Sequence, residues 1–158
     1  MNDSTAMLQT PAPHTLSGTP PLITRLVEQH GGMWIGDAGP EALAAPDGDV
    51  VLLIAGDAQR FPECLDVAVV LPELLRAFPG RLRIAVAERD SEDALARRYG
   101  ATRRPSLVFL RGGQYVTTIA GMLDWDDYLA EVAHALDMPV TRAPGIGIPV
   151  VAAATGCH

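Results

Sequence analysis

Residues 50–56 read VVLLIAG, seven apolar positions in a row and rich in β-branched side chains. A strand with one wet face alternates apolar and polar residues. An unbroken apolar run of this length predicts a strand buried on both faces, which requires cover on both sides. RLRIAVA at 81–87 is predicted to be a second buried strand. Helical patterns lie around and between these runs. Pro20-Pro21 opens a helix whose stripe is Leu22, Ile23, Leu26 and Val27, and His30-Gly31-Gly32 stops it. Asp66 is the predicted N-cap of a helix whose face is Val67, Leu71, Leu74, Leu75 and Phe78, with Pro72 inside it and Pro79-Gly80 at its end. DSEDALARRYG (90–100) has acidic residues in its first turn, arginines in its last and Gly100 as C-cap, each suited to the helix dipole.

The remaining elements are shorter. MWI (33–35) reads as a short strand, and PEALAAPDGD (40–49) as a short helix or loop ending in a turn. SLVFLRGGQYVTTIAG (106–121) is a hairpin about Gly112-Gly113. Asp124, with Asp127 three residues on, is expected to cap a last helix that buries Trp125, Tyr128, Leu129, Val132 and Leu136. Crossover helices between buried strands imply a parallel core, and the hairpin adds antiparallel strands. The division expected is a polar arm over 1–19, one α/β domain over 20–138, and a tail over 139–158 too rich in Pro, Gly and small residues for regular structure.

Charge narrows the function. The net charge is −7, from 19 acidic and 12 basic residues, and every basic residue is arginine. Nonspecific nucleic-acid binding calls for a basic surface and is argued against. A cationic partner is permitted, although solubility alone explains an acidic surface as well. No stretch is long and apolar enough to span a bilayer, so no membrane insertion is expected. The first residues have neither a basic n-region nor an apolar h-region, which makes the cytoplasm the expected address. Two cysteines 93 positions apart suit that address better than a disulfide framework does. No cofactor or metal is expected. His14, His30, His134 and His158 lack ligand spacing, and Cys157 with His158 does not close a zinc or iron–sulfur site. Gly145 and Gly147 do not form a nucleotide loop, the 90–93 acidic run reads as a helix start, and no catalytic triad is visible.

Three features in this order resemble thioredoxin. They are the strand and loop leading into a helix with internal Pro72, RRPSLVFLRGGQ with Pro105 before the hairpin, and AGMLDWDDYLAEVAHAL. The resemblance implies a thioredoxin-like three-layer sandwich, a mixed central sheet flanked by helices, with Pro105 in the cis form. Counting back from Pro72 places Cys64 and Val67 at the two redox-cysteine positions. Val67 removes the resolving thiol that dithiol exchange needs. A monothiol reaction at Cys64 stays open, because a position near a helix N-terminus lowers a thiol pKa. Cys64 as an ordinary small residue is the alternative.

The chain from Gly48 to Leu129 also resembles the HyaE/HoxO/HupG family of hydrogenase accessory proteins. The resemblance is carried by Asp57-x-x-Arg60-x-Pro62-Glu63-x-x-Asp66, ELLRAFP and RRPSLVF. It implies a thioredoxin-like fold without the redox pair. It also implies a non-catalytic chaperone for the iron–sulfur small subunit of a membrane-bound [NiFe] uptake hydrogenase. The partner would be the precursor with its twin-arginine signal peptide, together with other hydrogenase accessory proteins. Such a peptide is a cationic patch followed by an apolar run, and a receptor offers it carboxylates beside an apolar groove. The expected partner-binding residues are Asp57, Glu63, Asp66, Arg104, Pro105, Asp124, Asp126 and Asp127. Capping duties for Asp66, Asp124 and Asp127, and a solvated face for Asp126 and Glu131, are the structural alternatives. A monothiol redox protein acting through Cys64 is the competing function, and a purely structural subunit of a larger assembly is the third.

Overall fold

The strand predicted from VVLLIAG spans Asp49–Ile54, labelled β2, and all six of its residues are buried. The computed structural model describes residues 18–37, 39 and 48–144. The expected arm before residue 18, the 41–47 stretch and the tail beyond 144, with Gly145, Gly147, Cys157 and His158, lie outside them.

The other elements are α1 (Pro21–Glu28), β1 (Met33–Ile35), α2 (Glu63–Ala77), β3 (Leu82–Ala87), α3 (Glu92–Tyr99), β4 (Ser106–Arg111), β5 (Gln114–Ala120) and α4 (Trp125–Asp137). A single 3₁₀ turn, Arg89–Ser91, leads into α3. The sheet order is β1-β3-β2-β4-β5. β1 and β2 run parallel to β3, whereas β4 is antiparallel to both β2 and β5. Val51 stands opposite Ile84 on one side and Phe109 on the other.

Side-chain alternation along β2 separates the core into two halves. Val51 and Leu53 join Leu26, Leu71, Leu74 and Tyr128, beneath α1, α2 and α4. Val50, Leu52 and Ile54 join Leu95 and Tyr99, beneath α3. The fold is therefore α/β and thioredoxin-like, in three layers. The Arg104–Pro105 bond is cis, as expected from its place before the hairpin.

Three local expectations are corrected. α2 begins at Glu63, not after Asp66, so Asp66 lies in its first turn and is not a cap. The carbonyls of Phe61 and Pro62 already accept the N–H groups of Cys64 and Leu65, which starts the helix early. Asp124 occupies the N-cap position of α4, but its carboxylate makes no capping bond; its carbonyl accepts the Tyr128 N–H at 2.9 Å. Trp125 is 42% exposed. The buried stripe is Tyr128, Val132 and Ala135, and Trp125, first in the helix, precedes it by nearly a turn.

Past α4 the chain has no helix or strand up to residue 144, yet it packs. Thr141 donates its N–H to the Tyr115 carbonyl at 2.8 Å, and Ala143 lies against the α3-side core. Gly100, left-handed at φ +66°, is required here twice over. A Cβ would strain the backbone and stand 2.5 Å from the Pro144 carbonyl oxygen.

One side chain ties the layers together. Arg111, opposite Asp49 in the ladder, forms a two-pronged pair with it, Nε–Oδ1 2.8 Å and Nη2–Oδ2 2.9 Å. The same guanidinium donates to the carbonyls of Ala135 (3.2 Å), Leu136 (3.2 Å) and Met138 (2.5 Å) at the end of α4, where the helix supplies few donors of its own and Ala135 also accepts the Met138 N–H. Asp49 is 5% exposed, so removing its carboxylate leaves a cation half-buried without its counter-charge. Asp49→Ala is expected to lower stability in urea unfolding by about 3 kcal/mol. Arg111→Ala is expected to lower it further, because α4 then loses its donors. A loss below about 0.5 kcal/mol for either, the scale of surface substitutions, would refute this role.

Candidate functional site

The region corresponding to a redox site lies between the end of β2 and the first turn of α2. Gly56 follows β2 with φ +84°, and an added Cβ would meet Phe61 Cδ2 at 2.8 Å and Arg104 Cβ and Cγ at 3.0 Å. Glycine is thus needed both for the backbone conformation and for the close approach of two loops. The chain then turns on Asp57, whose carbonyl accepts the N–H groups of Arg60 (3.0 Å) and Phe61 (2.7 Å). The Asp57 carboxylate accepts the Gln59 N–H at 3.0 Å, a self-contained Asx turn. Glu63 and Asp66 follow, both exposed, where negative charge favours the helix N-terminus.

Cys64 is fully buried between them. Burial pushes its thiol up to about 11, and the carboxylates of Glu92, Asp57 and Asp66 add to the rise against the opposing charge of Arg89. Desolvation and nearby negative charge thus oppose the activation that a helix N-terminus offers, in keeping with the reading of Cys64 as an ordinary small residue. Val67 is buried as well.

Glu92 is the residue that sequence reasoning missed. It is 6% exposed, and its Oε2 accepts the Gly56 N–H at 3.1 Å. Burial raises its pKa, opposed by the Gly56 bond and by Arg89 and Arg104. With Asp57, Arg60, Phe61, Arg89 and Arg104 it lines a cleft of about 380 Å³. The only signal in the sequence was its place in the acidic first turn of a helix.

On the other side of the α2 start, Tyr128 is the hub. Its buried hydroxyl donates to the Gly121 carbonyl at 3.2 Å and lies 3.6 Å from Met122 Sδ. Gly121 in turn donates its N–H to the Pro105 carbonyl at 2.8 Å. Burial raises the Tyr128 pKa against a main-chain bond at Leu123, and the charges of Asp66 and Glu63 raise it further, so both carboxylates lie within electrostatic reach. Met122 (38% exposed) and Trp125 (42%) present apolar surface here. Asp124 and Asp126 flank Trp125 and are exposed.

Tyr128 thus lies within electrostatic reach of Glu63 and Asp66 and is linked to Pro105 through Gly121, with Asp124 and Asp126 near the turn that leads to it. Asp57 and Arg104 lie in the cleft with Glu92. Asp127 lines a different groove, with Thr118, Ala120 and Glu131 between β5 and α4. Among the described residues no three His, Cys, Asp or Glu side chains are grouped to hold a metal.

A family model described as Hydrogenase-1 expression protein HyaE matches residues 22–128. The chain is 56% identical over 162 aligned positions to the hydrogenase expression/formation protein HoxO of Cupriavidus necator, with 100% of each chain covered. It is 45% identical over 101 positions to the hydrogenase expression/formation protein HupG of Bradyrhizobium diazoefficiens, covering 64% of this chain and 68% of that one. It is also 29% identical over 75 positions to Thioredoxin 1 of a Nostoc species, covering 48% and 70% respectively.

Two outcomes are expected of this geometry. With its thiol near 11 instead of 9.0, Cys64 should alkylate with iodoacetamide at pH 8 about 100-fold more slowly in the folded protein than in the unfolded chain. The measurement is peptide mass analysis at Cys64, and equal rates would refute the buried, inactive thiol. The second concerns Glu92, whose folded pKa lies above its ordinary 4.5. A carboxylate raised on folding supports the fold while protonated and loses that support as pH rises from the unfolded pKa through the folded one. Glu92→Gln, which can still accept the Gly56 N–H, should therefore gain stability relative to the native chain as pH rises from 4 to 7. A difference in melting temperature that stays flat across that range would count against the assignment.

Proposed function

The chain belongs to the HyaE family and is a hydrogenase expression/formation accessory protein, and on that premise we propose that it is a non-catalytic chaperone of the hydrogenase small-subunit precursor. In this reading it binds the iron–sulfur small subunit of a membrane-bound [NiFe] uptake hydrogenase in the cytoplasm. It engages the twin-arginine signal peptide before export. No described helix is long and apolar enough to cross a membrane.

The observation that supports this reading most directly is the surface around Tyr128. Exposed Met122 lies against the Tyr128 hydroxyl, which the exposed carboxylates of Glu63 and Asp66 reach electrostatically, and exposed Trp125 stands between Asp124 and Asp126 in the chain. A twin-arginine segment has the complementary order, guanidinium groups and then an apolar run. Arginine pairs with carboxylates in a planar, directional fork, so a few carboxylates suffice to set its register. The apolar run would lie over Met122 and Trp125, and Pro105 with Gly121 forms the buried floor of that surface. Burial of the Cys64 thiol supports a binding role over a monothiol reaction.

The test is a titration of the synthetic signal peptide against the native protein and a Glu63→Gln/Asp66→Asn variant, in low and moderate salt. Neither residue caps α2 with its side chain, so the variant should stay folded. Charge-assisted bonds contribute roughly 1.5–3 kcal/mol each, so losing two should lower affinity by about two to four orders of magnitude. Native binding should weaken with salt. Unchanged affinity in the variant, or a native affinity indifferent to salt, would place recognition elsewhere.

A further inference from the structure

The cleft between the Asp57 turn, the 3₁₀ turn and the Pro105 loop is built differently from the acidic surface around Tyr128. Arg60, Arg89 and Arg104 all line it. It adjoins a second depression of about 240 Å³ that shares Asp93, Thr102 and Arg104 and adds Arg97. Four of the 12 arginines of an acidic chain (Arg60, Arg89, Arg97 and Arg104) thus line two neighbouring depressions with a shared wall.

These cations are not spent on one another's counter-charges. The Arg89–Glu92 contact is 3.8 Å and the Arg104–Asp93 contact 3.4 Å, against 2.8 Å for Arg111–Asp49 in the same molecule. Arg104 is held loosely although its side chain is only 15% exposed. Its firm bond is to a main-chain oxygen, Ala101, at 3.0 Å. Arg89 reaches the Gly18 carbonyl at 3.4 Å. Among the described residues no carboxylate pairs with Arg60, whose guanidinium lies 5.3 Å from the centroid of the Phe61 ring.

The carboxylates of the cleft are occupied or turned outward. Asp57 accepts the Gln59 N–H, Glu92 accepts the Gly56 N–H, and the Asp93 side chain is 86% exposed at the rim. A guanidinium presents paired N–H donors that fit a carboxylate, and three of them around one cavity call for an anionic ligand.

The geometry points to a second binding site in which Arg60, Arg89 and Arg104, continued by Arg97, hold the carboxylate side chains of an extended acidic peptide segment of a partner protein. Two joined depressions suit an extended chain better than a compact ion, and Phe61 adds an apolar wall. The site lies apart from the Tyr128 surface and requires an anionic partner, so it goes beyond the proposed signal-peptide reading and can fail independently of it.

The experiment titrates a fluorescein-labelled hexaglutamate peptide against the full chain, with hexaglutamine as the uncharged control and citrate as competitor. Hexaglutamate should bind saturably and hexaglutamine should not. Arg60→Gln/Arg89→Gln should weaken binding by about tenfold or more, with the melting temperature within about 2 °C of the native value. Asp93→Asn, which removes a competing carboxylate from the rim, should tighten binding by about threefold, a gain that misfolding cannot mimic. Equal affinity in the arginine variant, equal binding of hexaglutamine, or no gain in Asp93→Asn would overturn the site. Citrate displacing the peptide at matching concentrations would replace the peptide by a small multivalent carboxylate and overturn the peptide assignment.

Discussion

Arg111 stands where three parts of the chain meet, and the position of α4 depends on it. Its guanidinium pairs with Asp49 across the β2–β4 ladder and donates to three carbonyls at the end of α4. The end of a helix is short of donors for its last carbonyls, and burying one unpaired would cost roughly 1–3 kcal/mol. The other end of α4 is held by Tyr128, whose hydroxyl reaches Gly121, itself bonded to the carbonyl of Pro105. A helix fixed at both ends has no freedom to slide along the sheet. That fixity sets where Met122, Trp125 and the carboxylates beside them stand relative to the first turn of α2.

At Cys64 two effects of opposite sign compete, and their magnitudes decide the outcome. A helix N-terminus favours a thiolate by about 0.3–1 kcal/mol. Burial and the surrounding carboxylates carry the thiol from 9.0 to about 11, on the order of 3 kcal/mol against the thiolate. The scaffold has kept the position that activates a cysteine in a redox protein and removed the conditions. Val67, one turn on, is buried apolar volume, so both positions of the turn belong to the core.

The elements legible in the sequence were those fixed by local chemistry. Two apolar runs read as buried strands, Gly112-Gly113 as a hairpin, and Gly100 as a helix end, because each depends on a few adjacent residues. What was not legible depends on distant partners. Nothing near Arg111 announces Asp49, 62 positions away, and nothing in the 90–93 run shows that Glu92 meets the Gly56 N–H across 36 positions. The start of α2 was placed late because Asp66 is a good cap by type, whereas the carbonyls of Phe61 and Pro62 had already begun the helix. Trp125 fitted the helical stripe by spacing, but spacing does not say where the core beneath a stripe ends. Of the candidate site residues, the family-like segment and the Pro105 loop were found as separate motifs. Their division between two surfaces follows only from the packing.

That division turns on a single glycine. Gly56 lets the Asp57 turn pass close enough to Arg104 that Phe61 and the arginine stem meet over it. Arg60, Arg89 and Arg104 line the cleft at this contact together with Asp57, Glu92 and Asp93, whereas Glu63 and Asp66 are outside that lining and act on Tyr128. Opposite charges on one short segment would collapse into ion pairs if the chain were free to bring them together. Here the Asx turn at Asp57 and the early start of α2 fix the backbone between them, while Arg89 and Arg104 make longer contacts of 3.8 and 3.4 Å to Glu92 and Asp93. The turn that resembles a dithiol site thus holds one buried thiol and one valine, and what it offers to other molecules is the charged side chains on either side of them.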